Sequence, residues 1–306
     1  MKPNPVLRRL GYSDEDRLVI IHADDIGLCQ AGVAVLDDLW DAGIISSMAV
    51  MAVCPWFPAA AAFCRAHPAV DAGLHFTITC EGESCRWGPI ASRLRSGGLL
   101  DEEGYFHRKS ETVHRAGKAA AVRAELTAQI KRSQAAGIDL THVDSHCGTA
   151  WHPKFLPDYI NIPERRGIPA FFLRMDERTA MGWGYDRRSA AAMARRAEKY
   201  EIKGIPLFDR IFVMPLDDPG DRIGTARRAL ADLPPGLSYF ILHPSADTPE
   251  LRAAASDAPC RVADYRAFTS RELREFIRNS GIHVIGWRVL REKMREITEP
   301  ATKKSG

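Results

Sequence analysis

The chain has 306 residues, 45% hydrophobic and 26% charged, with a formal net charge of +3. That is enough for a large core in one big domain or two small ones; the mild charge makes no case for nucleic acid, and no apolar stretch approaches the ~20 residues that span a bilayer. The seven cysteines are odd in number and form no Cys-x-x-Cys pair, which argues against a disulfide framework and a structural zinc cluster and leaves them as small, reduced hydrophobes.

The opening residues Met1-Lys2-Pro3-Asn4-Pro5 lack the apolar segment of a signal peptide, so a soluble cytoplasmic protein is expected. An apolar run over 18–22 reads as a buried strand and ends abruptly in Asp24-Asp25 and Gly27. Residues 31–42 follow as a helix, then a strand over 46–53 and an Ala-rich helix over 57–67. His67 lies before Pro68, as a C-terminal cation near the helix dipole. A third strand spans 72–76. Residues 81–109 are rich in glycine and weakly periodic, and read as a loop excursion over the active face that helps bind substrate.

A long helix is expected over 110–136, then a strand over 140–145 that carries polar and charged groups. Residues 160–166 lead to Gly167 and a strand over 170–173. A basic helix covers 187–203; its interleaved Arg and Glu suit a solvated face better than nucleic acid. Strands follow over 211–214 and 237–242 around a helix at 224–233. A helix over 270–279 and a strand over 283–286 close the series, and the polar tail 298–306 is expected to fray. About seven strands alternating with helices make a parallel α/β sheet or barrel in a single domain over 1–306.

The chemistry collects at strand ends, where α/β folds keep their active sites. Adjacent Asp24 and Asp25 repel each other unless a cation or a proton is shared, so they read as a metal ligand beside an acid/base carboxylate; the alternative is a helix N-cap with an acidic first turn. His75 ends another strand. His142, Asp144 and His146 alternate, so they point to one face, and a carboxylate with two imidazoles is a familiar shell for a divalent ion. His243 ends a fourth strand before Pro244 and suits a general acid. Trp87, Trp151 and Trp183 are candidates for stacking on a bound ligand or for the core.

These pieces together resemble the YdjC-like carbohydrate deacetylases: His22-Ala23-Asp24-Asp25-Ile26-Gly27, Gly43-Ile44-Ile45-Ser46-Ser47-Met48, Gly73-Leu74-His75, Thr141-His142-Val143-Asp144-Ser145-His146, His243-Pro244, and a late stretch from Asp264-Tyr265-Arg266 to Trp287-Arg288. The resemblance implies a distorted β/α barrel of polysaccharide-deacetylase type, with one divalent ion, zinc or magnesium, held by Asp25, His75 and His146. It implies Asp24 as base, His243 as acid, and Arg174 holding Asp24 or substrate, with His142 and Asp144 in support. The implied reaction is hydrolysis of an N-acetyl group from an amino sugar or short oligosaccharide, with acetate released.

The implied partner is that small sugar, with no nucleic acid or membrane; a homodimer is left open. A metal hydrolase of a phosphoester or non-sugar amide, and a non-catalytic carbohydrate-binding relative, are the alternatives. The chain departs from the family pattern His-x-Asp-x-His-x-His, which ends here in Cys147-Gly148, and has Ile26 and Cys29 where Phe and Ser are usual.

Overall fold

Leu18, Val19, Ile20 and Ile21 are fully buried, as the near-continuous apolar run of a parallel strand requires when both of its faces are covered. The computed structural model describes residues 2–298; all of the tail expected to fray except its first residue lies outside them. Strand β1 is Arg17–Ile26, β2 Ser47–Val50, β3 Ala72–Phe76, β4 Val143–Ser145, β5 Arg210–Val213, β6 Gly236–Leu242 and β7 Ile282–Val284. The sheet order is β4-β3-β2-β1-β6-β5, these strands all pair in parallel, and β7 pairs with the start of β1.

The expected strand over 170–173 is present only as two single bridges, Val143 to Ala170 and Leu173 to Phe208. Those bridges join β4 to the approach of β5 and so link the two edges of the curled sheet. The result is a distorted β/α barrel wrapped by helices, as the alternating pattern predicts. Among the described residues, no helix is long and apolar enough to cross a membrane.

Two expected helices are each broken. The segment over 31–42 forms Gln30–Val33 and Leu36–Ala42. The segment over 110–136 forms Ser110–Ala116 and Ala119–Ala135, separated by Gly117 and Lys118 in extended conformations. On this extended backbone a Cβ at Gly117 would lie 2.7 Å from the Val113 carbonyl oxygen, so the break is fitted to glycine. The basic helix forms as Arg187–Ile202. His67 does meet its helix end, with Nδ1 3.1 Å from the Phe63 carbonyl.

The barrel interior is layered along the strands. Trp287, Phe208, Phe171 and Tyr239 make a contiguous aromatic floor. His142 lies flat against Trp287, centroids 4.6 Å apart and planes 8° apart. Gly73 leaves room for that ring: a Cβ at 73 would stand 2.3 Å from His142 Nε2. Gly73→Ala is therefore expected to cost roughly 1–3 kcal/mol, as overpacking of a filled interior does. A denaturant midpoint equal to that of the parent chain would remove this role for Gly73.

Candidate active site

Two adjacent strand residues normally face opposite ways, yet Asp24 and Asp25 both line the cavity at the barrel mouth. The register of β1 against β2 shifts between Ala23 and Ile26, and Asp25 takes a left-handed backbone with φ of 62°. This bulge turns both carboxylates inward, and aspartate is among the few residues that tolerate such a backbone.

Asp25 Oδ1 lies 3.3 Å from His75 Nε2 and 3.1 Å from His146 Nδ1, and the two ring nitrogens are 3.2 Å apart. Atoms so spaced can share a proton, or can each contact one cation at the ~2.1 Å typical of zinc with nitrogen and oxygen. Asp25 Oδ1 is fully buried and has no hydrogen-bond partner. A buried, unpartnered carboxylate oxygen facing two ring nitrogens is a donor arrangement suited to a divalent cation. The residues fit the group.

The opposite side of each ring is also fixed. His75 Nδ1 lies 2.6 Å from Asp144 Oδ1, and His146 Nε2 lies 2.7 Å from Glu81 Oε2. A carboxylate that accepts the far N–H of a histidine sets its tautomer and leaves the near nitrogen free to ligate. Asp25 Oδ2 accepts a 2.8 Å hydrogen bond from Arg261 Nη1, and Arg261 Nε donates to Asp257. Burial opposes ionisation of Asp25, but Arg261 and His146 outweigh it and hold the carboxyl well below the usual range. Burial likewise disfavours a charged His75 or His146, yet the surrounding acidic groups raise both well above the ordinary histidine value. A divalent ion would thus displace protons on binding, and its affinity would fall as pH falls.

Asp24 stands beside this cluster. Its Oδ1 is 3.0 Å from His22 Nε2, and its Oδ2 is 3.9 Å from His243 Nε2. His22 Nε2 also lies 2.9 Å from Asp144 Oδ2, which accepts a 3.1 Å hydrogen bond from the Tyr239 hydroxyl. Asp144 is thereby the buried node that joins His75, His22 and Tyr239. His243 is fixed through its backbone N–H, which donates to Asp264 Oδ2 at 3.0 Å, while Arg222 clamps the other oxygen of Asp264. Burial pushes the His243 imidazole below its ordinary value, with Asp25 and Asp24 opposing that shift.

The barrel thus brings Asp24, Asp25, His75, His146 and His243 to one mouth, with Asp144 directly beneath. His142 shares the face of Asp144 but sits one layer lower. Its Nε2 is 4.0 Å from Asp144 Oδ2, and burial holds the ring well below the usual histidine range, neutral and structural. Arg174 does not reach the cluster. Its guanidinium bonds Asp209, Glu201 and the Lys2 carbonyl, and Asp209 also accepts the Leu237 amide near the start of β6. Leu237 pairs with Leu18, well upstream of Asp24, so Arg174 braces the far end of the barrel and holds neither Asp24 nor the cavity. The arginine that meets the cluster is Arg261.

Glu81, Arg261 and His22 escaped the sequence reading as site residues. Only His22 carried a signal, being two residues before Asp24 on one strand face. The cavity has a volume of about 910 Å³, within the range of small-molecule sites. The start of the glycine-rich excursion forms one wall, through Glu81, Glu83 and Trp87. Trp151, Trp183 and Val213 line another part. Trp87 is nevertheless largely structural: it is buried, and its indole N–H donates to the Thr79 carbonyl at 2.8 Å. Gly148 is explained by Trp151: a Cβ at 148 would lie 2.8 Å from that indole, and φ is 61°. A histidine at this position would meet that indole.

A curled parallel β/α barrel with an acid–imidazole cluster at the carboxyl ends of its strands defines a class in which function sits at the C-terminal mouth. Within that class the chain belongs to the YdjC-like protein family, whose model matches residues 18–279. It is 29% identical over 290 residues to a carbohydrate deacetylase of Thermus thermophilus, covering 94% of this chain and 99% of the relative. A carbohydrate deacetylase of Brevibacillus brevis is 24% identical, covering 87% and 97%. A crystal structure of an Enterococcus faecalis V583 protein named for cellobiose-phosphate cleavage superposes with a TM-score of 0.72 at 21% identity, covering 90% of this chain and 99% of the other, which supports the fold.

Proposed function

We propose that the protein is a divalent-cation-dependent hydrolase that removes the acetyl group from an N-acetylated amino sugar or short oligosaccharide and releases acetate. The observation that carries this reading is the meeting of Asp25, His75 and His146 around one unpartnered buried oxygen, with a further acid and a further imidazole alongside. The names of the relatives supply the substrate class. A purely carbohydrate-binding relative would have no use for Asp24 and His243 beside the cluster.

Asp25, His75 and His146 would hold the ion, and two imidazoles favour zinc over magnesium. A bound ion supplies Lewis acidity to a carbonyl and acidity to water. Asp24 takes the proton of the attacking water: it lines the cavity, with Oδ1 3.0 Å from His22 Nε2. His243 presents Nε2 across 3.9 Å from that oxygen and gives a proton to the departing amine nitrogen. Because burial favours its neutral form, His243 gains this proton during the cycle, from the one that Asp24 removes. The balance is one water and one amide in, one acetate and one protonated amine out.

The test joins metal analysis of the purified chain to acetate release from a panel of N-acetylated mono- and oligosaccharides. About one equivalent of a divalent ion and acetate from at least one sugar are expected, with both lost in His75→Ala. Release of no acetate from any acetylated sugar by ion-loaded protein would overturn the reading.

A further inference from the structure

His146 uses one ring nitrogen toward Asp25 and His75, and its other nitrogen faces out of that cluster. There Nε2 lies 2.7 Å from Glu81 Oε2, and the second oxygen of Glu81 accepts from Cys147 Sγ at 3.4 Å. One ligand atom from each of Glu81, His146 and Cys147 falls within 4.8 Å of the other two. We propose that these three residues form a second cation site, specific for a thiophilic divalent ion such as zinc, and that filling it inhibits the enzyme.

Neighbouring residues do not usually offer side chains to one point. Here Cys147 has a left-handed φ of 51° and Gly148 follows at 61°. These two turns bring the thiol of 147 and the ring of 146 to the same carboxylate. A left-handed cysteine is a strained conformation that only its surroundings can hold. Cys147 is also the exposed cysteine: Cys29, Cys54, Cys64, Cys80 and Cys260 are buried and Cys85 is half-buried. Both Cys147 and Glu81 line the cavity, so an ion has an entry path.

Sulfur, nitrogen and carboxylate oxygen together make a zinc donor set with a position left for water. Magnesium prefers oxygen ligands and does not take thiolates, so the site separates the two ions. Binding releases the thiol proton and the Nε2 proton of His146 to solvent. With the inner cluster also filled, His146 would serve both cations, so the second ion would bind more weakly than the first. Inhibition follows because Glu81 is drawn away from orienting His146 and because a cation then stands in the mouth. Only this inhibitory consequence rests on the proposed function; the donor cluster does not.

The test is a cobalt titration of the full chain after chelator stripping, followed by absorption. Two equivalents are expected. Visible d–d bands grow with the first, and a thiolate-to-cobalt charge-transfer band in the near ultraviolet grows with the second. Cys147→Ser is expected to lose the charge-transfer band and keep the d–d bands. In activity assays, excess zinc should abolish most of the parent chain's activity relative to one equivalent, excess magnesium should not, and Cys147→Ser should escape the zinc effect. Saturation at one equivalent without charge transfer overturns the second site and leaves the inner cluster standing. A charge-transfer band at the first equivalent, with no thiol-free cobalt beforehand, supports the outer site and removes the inner one instead. Persistence of the band in Cys147→Ser overturns the assignment of the thiol.

Discussion

Replacing Asp24 by asparagine is expected to lower kcat by roughly 10²–10⁴-fold while the divalent ion stays bound, the usual cost of losing a positioned proton-transfer group. The substitution keeps shape and removes basicity. The amide can still fill the space between His22 and His243, and the three atoms of the inner cluster belong to Asp25, His75 and His146. A loss in kcat with ion content unchanged separates Asp24 from its neighbour. Asp25→Asn should instead release the ion, because it leaves Arg261 and both imidazoles facing a neutral amide. Metal analysis and acetate release on the same preparations read both outcomes. Full turnover in Asp24→Asn would show that the proton goes elsewhere.

The separation of two adjacent aspartates into different proposed roles depends on backbone geometry more than on residue type. In a regular strand, one of them would face the helices. The bulge that turns Asp25 inward is invisible in a periodicity argument, although the pair itself announces a site. The same contrast holds along β4 and beyond it. Alternation correctly places His142, Asp144 and His146 on one face, because strand geometry alone decides that. It says nothing of depth, and depth decides their roles: His142 is packed against Trp287, Asp144 is the buried node, and His146 reaches the mouth.

The barrel was legible because its strands are apolar runs punctuated by helices, and because those runs end in acids and imidazoles. What was not legible came from long-range pairing. Arg261 lies in the helix Ala258–Phe268 and meets Asp25 only once the chain has gone around the barrel. Glu81 lies in a glycine-rich segment with no period to orient it. The resemblance alone assigns Arg174 to the mouth; pairing of Leu173 with Phe208 and the bond to Asp209 carry it to the opposite end. The helix break at Gly117 has a local signal in the glycine itself, since on the observed backbone a Cβ there would crowd the Val113 carbonyl oxygen.

Asp144→Ala is expected to be the most destabilising single change at this site, costing about 3–5 kcal/mol, as removal of one partner from a buried ionic network does. Asp144 lies within hydrogen-bonding distance of His75, His22 and Tyr239, all buried among apolar side chains. Alanine leaves His75 Nδ1 and the Tyr239 hydroxyl facing an empty space and His22 Nε2 with Asp24 alone. Water could fill that space only by adding a polar molecule to a layer bounded by the aromatic floor. His75 also loses the acceptor that fixes its tautomer, and loss of such a partner lowers metal affinity by roughly 10–100-fold. The two effects are separable. Added ion stabilises whichever chain binds it, by an amount that grows with concentration over the dissociation constant. Denaturant unfolding with and without saturating ion therefore gives both the loss in the bare chain and the fall in affinity. Asp144→Asn, which keeps an acceptor oxygen and nearly the same volume, should fall between alanine and the parent chain in both readouts. If Asp144→Ala unfolded at the parent's midpoint and bound its ion as tightly, the carboxylate could not be what joins the barrel's buried layer to the ligands above it.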